Sequence, residues 1–263
     1  MKLIDAHTHL SSKEFDADRE EVLKRAFDVC DFIIDIGSGT SHEAFEKACK
    51  LAEENERAYF TAGVHPHDAE SIGQNPEVLK QIESLMQHPK CVGVGECGLD
   101  YYYEHSAPEI QKKVFEWHIV LAKKYDLPLM IHTRDAEADT KELLKSYDGP
   151  AIFHCFTGSQ DLADFGASKN FLISFSGIVT FKTAEDLRKV FLSLPLENII
   201  VETDSPYLAP IPMRGKRNES SFVSHTAKFL ADLRKISLDN FTHQTSSNAL
   251  RIFKKIKQPN RGA

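Results

Sequence analysis

The chain has 263 residues and a mass of 29.7 kDa, enough for one large barrel or two ordinary domains. With 41% hydrophobic and 27% charged residues it is neither disordered nor collagen-like, and no apolar run approaches the ~18 residues of a membrane span. The formal charge of −7 argues against broad attraction to nucleic acid, although bound divalent cations or a local basic patch would supply a positive field.

Apolar, β-rich runs predict strands at Lys2–His7, Phe32–Gly37, Ala58–His65, Cys91–Glu96, Pro128–His132, Ala151–His154, Phe171–Phe175 and Ile199–Asp204. Helical spacing separates them. Ala44, Phe45, Ala48, Leu51 and Ala52 form one apolar stripe, and Ile110, Val114, Trp117 and Leu121 form another. Asn75-Pro76 reads as an N-cap with proline at the first helical position, opening a helix that ends near Gln87. Phe241, Ala249, Leu250 and Phe253 suggest a last helix packed on the rest, with Lys254, Lys255 and Lys257 complementing its dipole.

Strands such as FIIDIG, PLMIH and AIFH are apolar on both faces, as parallel strands covered by helices are. Eight strand–helix units in this length predict an α/β fold of the (β/α)8 TIM-barrel type, one domain over residues 1–263. The alternative, a doubly wound sheet, lacks its usual GxGxxG turn. The five cysteines form no CxxC pair and are odd in number, so neither a disulfide framework nor a thiolate zinc site is expected. Together with the acid at Asp5, where a signal peptide needs an apolar stretch, they point to a cytoplasmic protein.

Six of the twelve histidines fall at predicted strand C-termini, the ends that build the active face of such a barrel. They are His7, His9, His65, His67, His132 and His154; Glu96 and Asp204 end two further strands. His7 and His9, two apart on an extended segment, point to the same side as two ligands of one metal would. Carboxylates and imidazoles converging on one spot need a compensating charge, which a metal supplies. Six donors exceed one tetrahedral ion and suit two divalent cations sharing a carboxylate. One partition gives His7, His9 and Asp204 with Glu96 to one ion, and His132 and His154 with Glu96 to the other.

DAHTHL (5–10), GVHPH (63–67), GECGLDYY (95–102), IHTRD (131–135), FHCFTGS (153–159), ETDSPYLAP (202–210) and RGKRNE (214–219) together resemble, in order, the motifs of the TatD-type metal-dependent deoxyribonucleases. The resemblance covers essentially the whole chain. It implies a (β/α)8 barrel of the amidohydrolase type, two divalent metals, and hydrolysis of nucleic-acid phosphodiesters. The family's metal positions carry over to His7, His9, Glu96, His132, His154 and Asp204. The family commonly has proline after RNE, where this chain has Ser220. Related members are also credited with removing D-amino acids from tRNA.

Two metals would lower the pKa of a bound water and neutralise charge on the phosphoryl oxygens, with Asp204 orienting or deprotonating that water beside Glu96. Zinc, manganese, cobalt, nickel or magnesium all suit such a site. Glu202 is either a partner that fixes a histidine tautomer or a structural acceptor. Arg134 suits a phosphate oxygen; its alternative is an ion pair with Asp135 or Asp100. His65 is expected at the phosphate or leaving group and His67 in a loop-capping role. Arg214, Lys216 and Arg217 form a basic cluster placed to meet a nucleic-acid backbone, or else a solvated face. Of Tyr101, Tyr102 and Tyr103, one would stack on a base while another packs into the barrel rim. Cys97 and Cys155 read as small buried fillers.

The leading expectation is a two-metal exonuclease on single-stranded or frayed DNA ends, with no membrane partner, monomeric or weakly self-associating. The alternatives are a D-aminoacyl-tRNA deacylase or other ester or amide hydrolase, whose carbonyl the same metals would polarise, and a non-catalytic metal or nucleic-acid binding protein.

Overall fold

A computed structural model describes residues 1–38 and 42–257. Eight strands form one parallel sheet in sequential order: β1 (Leu3–Thr8), β2 (Cys30–Ser38), β3 (Ala58–Gly63), β4 (Cys91–Asp100), β5 (Leu129–Arg134), β6 (Ala151–Phe153), β7 (Leu172–Phe175) and β8 (Ile199–Val201). Helices alternate with them: α1 (Arg19–Val29), α2 (His42–Glu54), α3 (Pro76–Leu85), α4 (Pro108–Tyr125), α5 (Glu137–Leu144), α6 (Gln160–Ser168) and α7 (Glu185–Ser193). Two more, α8 (Val223–Arg234) and α9 (Leu238–Ile252), follow β8. The predicted (β/α)8 barrel is the observed fold, and the segment after β8 nearly closes it. Thr8 bridges Ser205, the Asp204 N–H donates to the His7 carbonyl at 2.9 Å, and the His9 N–H to Ser205 at 2.8 Å.

The lower half of the lumen is apolar, filled by Ile4, Ile34, Val92, Met130, Ile152, Leu172 and Ile200. Ala249, Ile252 and Phe253 of the α9 region, with Ile256, pack against that layer. The Asn248 amide caps the Leu196 and Ile199 carbonyls at 2.8 Å each. The lysines beyond this helix have a different use from the one expected. Lys255 donates to the Met86 and His88 carbonyls just past α3, and Lys254 pairs with Asp126 at 2.8 Å.

Some predicted boundaries shift for identifiable reasons. Strand β8 stops at Val201, three residues before Asp204. The Thr203 N–H and hydroxyl donate to the buried Asp5 carboxylate at 2.8 and 2.7 Å, and Asp204 turns with φ 56°. Strand β4 runs past Glu96 to Asp100, and β3 ends before His65. Asn75 makes no side-chain cap; its ψ of 74° lies far from the extended values of Ser159 and Ser237, which do cap their helices. The first apolar stripe is buried as expected, with Phe45, Ala48, Leu51 and Ala52 inside. On α4 the buried face is rotated from the predicted one: Gln111, Phe115, His118, Leu121 and Ala122 face inward. Both polar members of that face serve the mouth. Gln111 donates to the Asp100 and Ser106 carbonyls, and His118 Nε2 accepts the Val64 N–H at 3.0 Å.

Candidate metal centre

Strand β4 supplies the central group. Its pairing with β5 slips between Gly95 and Cys97, leaving Glu96 as the extra residue of a bulge, a device that re-aims a side chain. Glycine is needed on both sides. Gly95 has φ 135° and Gly98 φ 133°, and a Cβ at Gly98 would stand 2.0 Å from the His132 carbonyl oxygen. The bulge turns the Glu96 carboxylate into a ring of imidazoles from four other strand ends.

Its Oε1 lies 2.8 Å from His154 Nε2, 3.2 Å from His132 Nδ1 and 3.4 Å from His65 Nε2. Its Oε2 lies 3.6 Å from His7 Nε2. Around that side, His7 Nε2 and His9 Nε2 are 3.3 Å apart, and Asp204 Oδ1 is 3.6 and 3.4 Å from them. All six residues of the predicted ligand set therefore converge: His132 and His154 face Oε1 of Glu96, His7 faces Oε2, and His9 and Asp204 gather beside His7.

The outer hydrogen bonds assign tautomers. His132 Nε2 donates to Asp100 Oδ2 at 3.0 Å and His154 Nδ1 to Glu202 Oε1 at 3.3 Å, so the inner nitrogens are the ones left to face Glu96, each able to carry a proton or to bind a metal. These two nitrogens are 3.4 Å apart and face the same carboxylate oxygen. Protons hold these three atoms together in the metal-free cluster and a metal cation would take their place, since two nitrogens each ~2.0–2.1 Å from a tetrahedral metal would be about 3.3 Å apart. The donor set fits a metal. His65 differs: its Nδ1 accepts the His67 N–H at 3.2 Å, so Nε2 carries hydrogen inward. His65, Glu96 and His132 have ligand atoms within 4.8 Å of one another, but this tautomer makes His65 a donor toward the cleft.

Electrostatics follow from the same contacts. Burial opposes the charge of Glu96, yet the His154 and His65 imidazoles, with hydrogen bonds from His132 and His154, hold its carboxyl well below the usual range. Burial and the stacked His154 ring 4.0 Å away push His7 well below an ordinary imidazole, keeping it neutral. On His154 burial acts downward, but Glu96 and Glu202 outweigh it and raise it well above.

Asp100 is the residue that the sequence reading undervalued. Its Oδ2 accepts from His132 and from His67 Nε2, each at 3.0 Å, and its Oδ1 accepts the Tyr102 and Tyr103 N–H groups. Burial opposes its charge, but the hydrogen bonds from His132, the Tyr103 N–H and His67 hold it well below the usual range. The available signal was its spacing: four residues beyond Glu96 on one extended strand, it faces the same side. Glu202 meets both of its readings, since its Oε1 holds His154 Nδ1 and also accepts the Cys155 N–H at 2.6 Å.

Arg134 pairs with neither Asp100 nor Asp135; its guanidinium lies 3.9 Å from the Tyr102 ring centroid and 4.8 Å from that of Tyr103. The basic loop splits. Arg214, Lys216 and Arg217 are all exposed, and Arg214 lies over Phe181 as Arg217 does over Phe15, but among the described residues only Arg217 is tied down, donating to the Glu14 carbonyl and to Asp18. Asn218 and Glu219 are structural, Glu219 gripping Arg25 at 2.8 and 2.7 Å. Ser220, where the family commonly has proline, is buried with its hydroxyl on Thr8. Tyr101 is the rim residue, half-buried with its hydroxyl on Asp139 at 2.7 Å. Cys97 is buried and Cys155 half-buried, its sulfur 3.2 Å from the Ser176 hydroxyl; all five cysteines are free. Cys49 and Glu53 of α2 also cluster with His88, in the turn after α3. There His88 Nδ1 accepts the Lys90 N–H, so its Nε2–H donates to Glu53, which is a hydrogen bond rather than a lone-pair site.

A family model described as TatD related DNase matches residues 4–254. The chain belongs to the TatD family. A Bacillus subtilis (strain 168) relative, the uncharacterized metal-dependent hydrolase YabD, is 40% identical over 96% of this chain and 99% of its own. A Cronobacter sakazakii relative named 3'-5' ssDNA/RNA exonuclease TatD is 32% identical over 98% of this chain and 100% of its own. The crystal structure of YJJV, a TatD homologue from Escherichia coli K12, superposes with a TM-score of 0.88 at 28% identity, covering 96% of this chain and 98% of that one. This TatD-family chain is thus a metal-dependent hydrolase, and no helix among its described residues is long and apolar enough to cross a membrane.

Proposed function

We propose that this hydrolase is a two-metal deoxyribonuclease that trims single-stranded or frayed DNA ends. One observation carries the reading: a single carboxylate, Glu96, turns one oxygen to His132 and His154 and the other to His7, beside His9 and Asp204. His7, His9 and Asp204 with Glu96 would hold one divalent cation, and His132 and His154 with Glu96 a second; zinc, manganese, cobalt, nickel or magnesium would serve. Such a pair makes water nucleophilic near neutral pH and offsets negative charge building on a phosphoryl group.

The protein's own groups do the rest. Asp204, whose side chain is 14% exposed at the open edge of the cluster, orients the attacking water and takes its proton. Arg134 meets tyrosine with its flat face, leaving the in-plane N–H groups for a non-bridging phosphate oxygen. His65, with Nε2–H turned inward, donates to the phosphate or the leaving oxygen. Arg214 and Lys216 meet the strand's backbone, on a loop that Arg217 ties down. The name of the Cronobacter relative supports a nucleic-acid substrate.

The test is a side-by-side assay of metal-loaded protein on labelled single-stranded DNA and on a D-aminoacyl-tRNA. Stepwise DNA shortening, stopped by chelator, restored by divalent ions and abolished by Asp204→Asn, is the expected result. Release of the amino acid with DNA untouched would move the chemistry to a carbonyl. Binding of DNA with no turnover on either substrate would leave only a binding protein.

A further inference from the structure

Tyr102 and Tyr103 are 57% and 50% exposed, an unusual setting for two large rings, even though one side of Tyr103 lies parallel to His105 with centroids 5.6 Å apart. Tyr101 beside them shows the contrast, because its hydroxyl is spent on Asp139. The two exposed rings meet edge to face, centroids 4.8 Å apart, and Arg134 lies against both. The backbone beneath them is pinned, since Asp100 Oδ1 accepts both their N–H groups at 3.0 and 2.9 Å. The other oxygen of that carboxylate holds His132 at the metal cluster. His67 fills the gap, its ring 5.4 Å from Tyr103 and 6.3 Å from His132. An ordered pair of aromatic rings thus stands at the rim, with a cation against it, coupled through one carboxylate to the reacting centre.

We propose that Tyr102 and Tyr103 form a platform, one ring offering its face to an unpaired nucleobase beside the scissile phosphate and the other, at a right angle, walling it, making the site selective for single-stranded nucleic acid. This rests on the nuclease reading above. Every base offers a π face, so the platform tolerates any sequence, whereas duplex bases have both faces covered by their neighbours. Because Asp100 and Arg134 hold the rings in advance, little ordering cost is left for binding.

The experiment compares single-stranded oligonucleotides that carry a normal base, an abasic site or 2-aminopurine at scanned positions near the end. Binding is followed by fluorescence on metal-free protein, and cleavage on metal-loaded protein. Wild type is expected to quench 2-aminopurine at one position and to bind the base-bearing strand about 5- to 150-fold more tightly than the abasic one, as loss of one stacked base implies. In the Tyr102→Ala, Tyr103→Ala double variant the quench and the preference should vanish, and Tyr102→Trp should restore them. A preference that survives the double alanine variant, or is absent from wild type, overturns the platform. Cleavage that proceeds with that unchanged preference leaves the nuclease standing. Quenching that depends on the tyrosines without any cleavage removes the nuclease reading and keeps the platform as a binding site.

Discussion

On the Oε1 side of Glu96, the outer nitrogens of His132 and His154 are each held by a carboxylate, Asp100 and Glu202. On the Oε2 side, His7 Nδ1 has no polar partner among the described residues, and position comes from the backbone instead. Asp204 N–H to the His7 carbonyl and His9 N–H to Ser205 are bonds by which the segment after β8 reaches the end of β1 and nearly closes the barrel. The first donor group therefore has its rings oriented in advance, whereas the second depends on the seam and is partly open, with His9 21% and Asp204 14% exposed. Imidazoles backed by carboxylates are more basic and better oriented ligands. The Oε1 group is expected to hold its cation tightly, and the Oε2 group to exchange its cation more readily where water and substrate enter.

The largest effect should come from the residue the two groups share. Glu96→Gln is expected to weaken both cations together and lower hydrolysis by about 1,000-fold, the several kcal/mol such ions contribute; metal analysis showing one ion still fully bound would refute sharing. His132→Ala and His9→Ala should then separate the groups, the first removing the tighter phase of a metal titration and the second the weaker. Arg134→Ala should leave both phases intact and cost roughly 1.5–3 kcal/mol in kcat/KM on DNA; a wild-type rate would make it purely structural. Asp100→Asn should weaken the tighter phase by about 10- to 100-fold and leave the weaker one in place, and equal loss in both would erase the proposed asymmetry.

A separate effect, on stability rather than on activity, concerns a histidine outside both groups. Burial pushes His118 from 6.5 down to about 4, although its hydrogen bond to the Val114 carbonyl acts upward. The folded protein keeps this imidazole neutral while the unfolded chain protonates it, so its contribution is complete above pH 6.5 and is lost as pH falls toward 4. The loss is about 1.4 kcal/mol per pH unit within that window. Denaturation of wild type against His118→Gln should show the variant with the flatter slope; equal slopes would assign the acid sensitivity to other groups.

The barrel was legible because doubly buried strands announce themselves as apolar runs, and the mouth because polar residues interrupt those runs at their ends. His7, His9, His132 and His154 sit where that argument put them. Glu96 was found by residue type but not by mechanism: it lies mid-strand in a bulge set by the conformations of Gly95 and Gly98, which no periodicity records. Gln111 and His118 escaped because apolar spacing treats a polar residue on a helix as outward-facing. These two are buried to satisfy backbone groups of loops at the mouth, a demand written in another part of the chain. Arg217 fell short of its reading for a similar reason, since its partners Glu14 and Asp18 lie about 200 residues away.

The most direct test of the central claim is a titration of metal-free protein with manganese, read by electron paramagnetic resonance. Two ions per chain with exchange-coupled spectra, uncoupled in Glu96→Gln, is the result expected of a shared carboxylate. Saturation at a single uncoupled ion in wild type would contradict it.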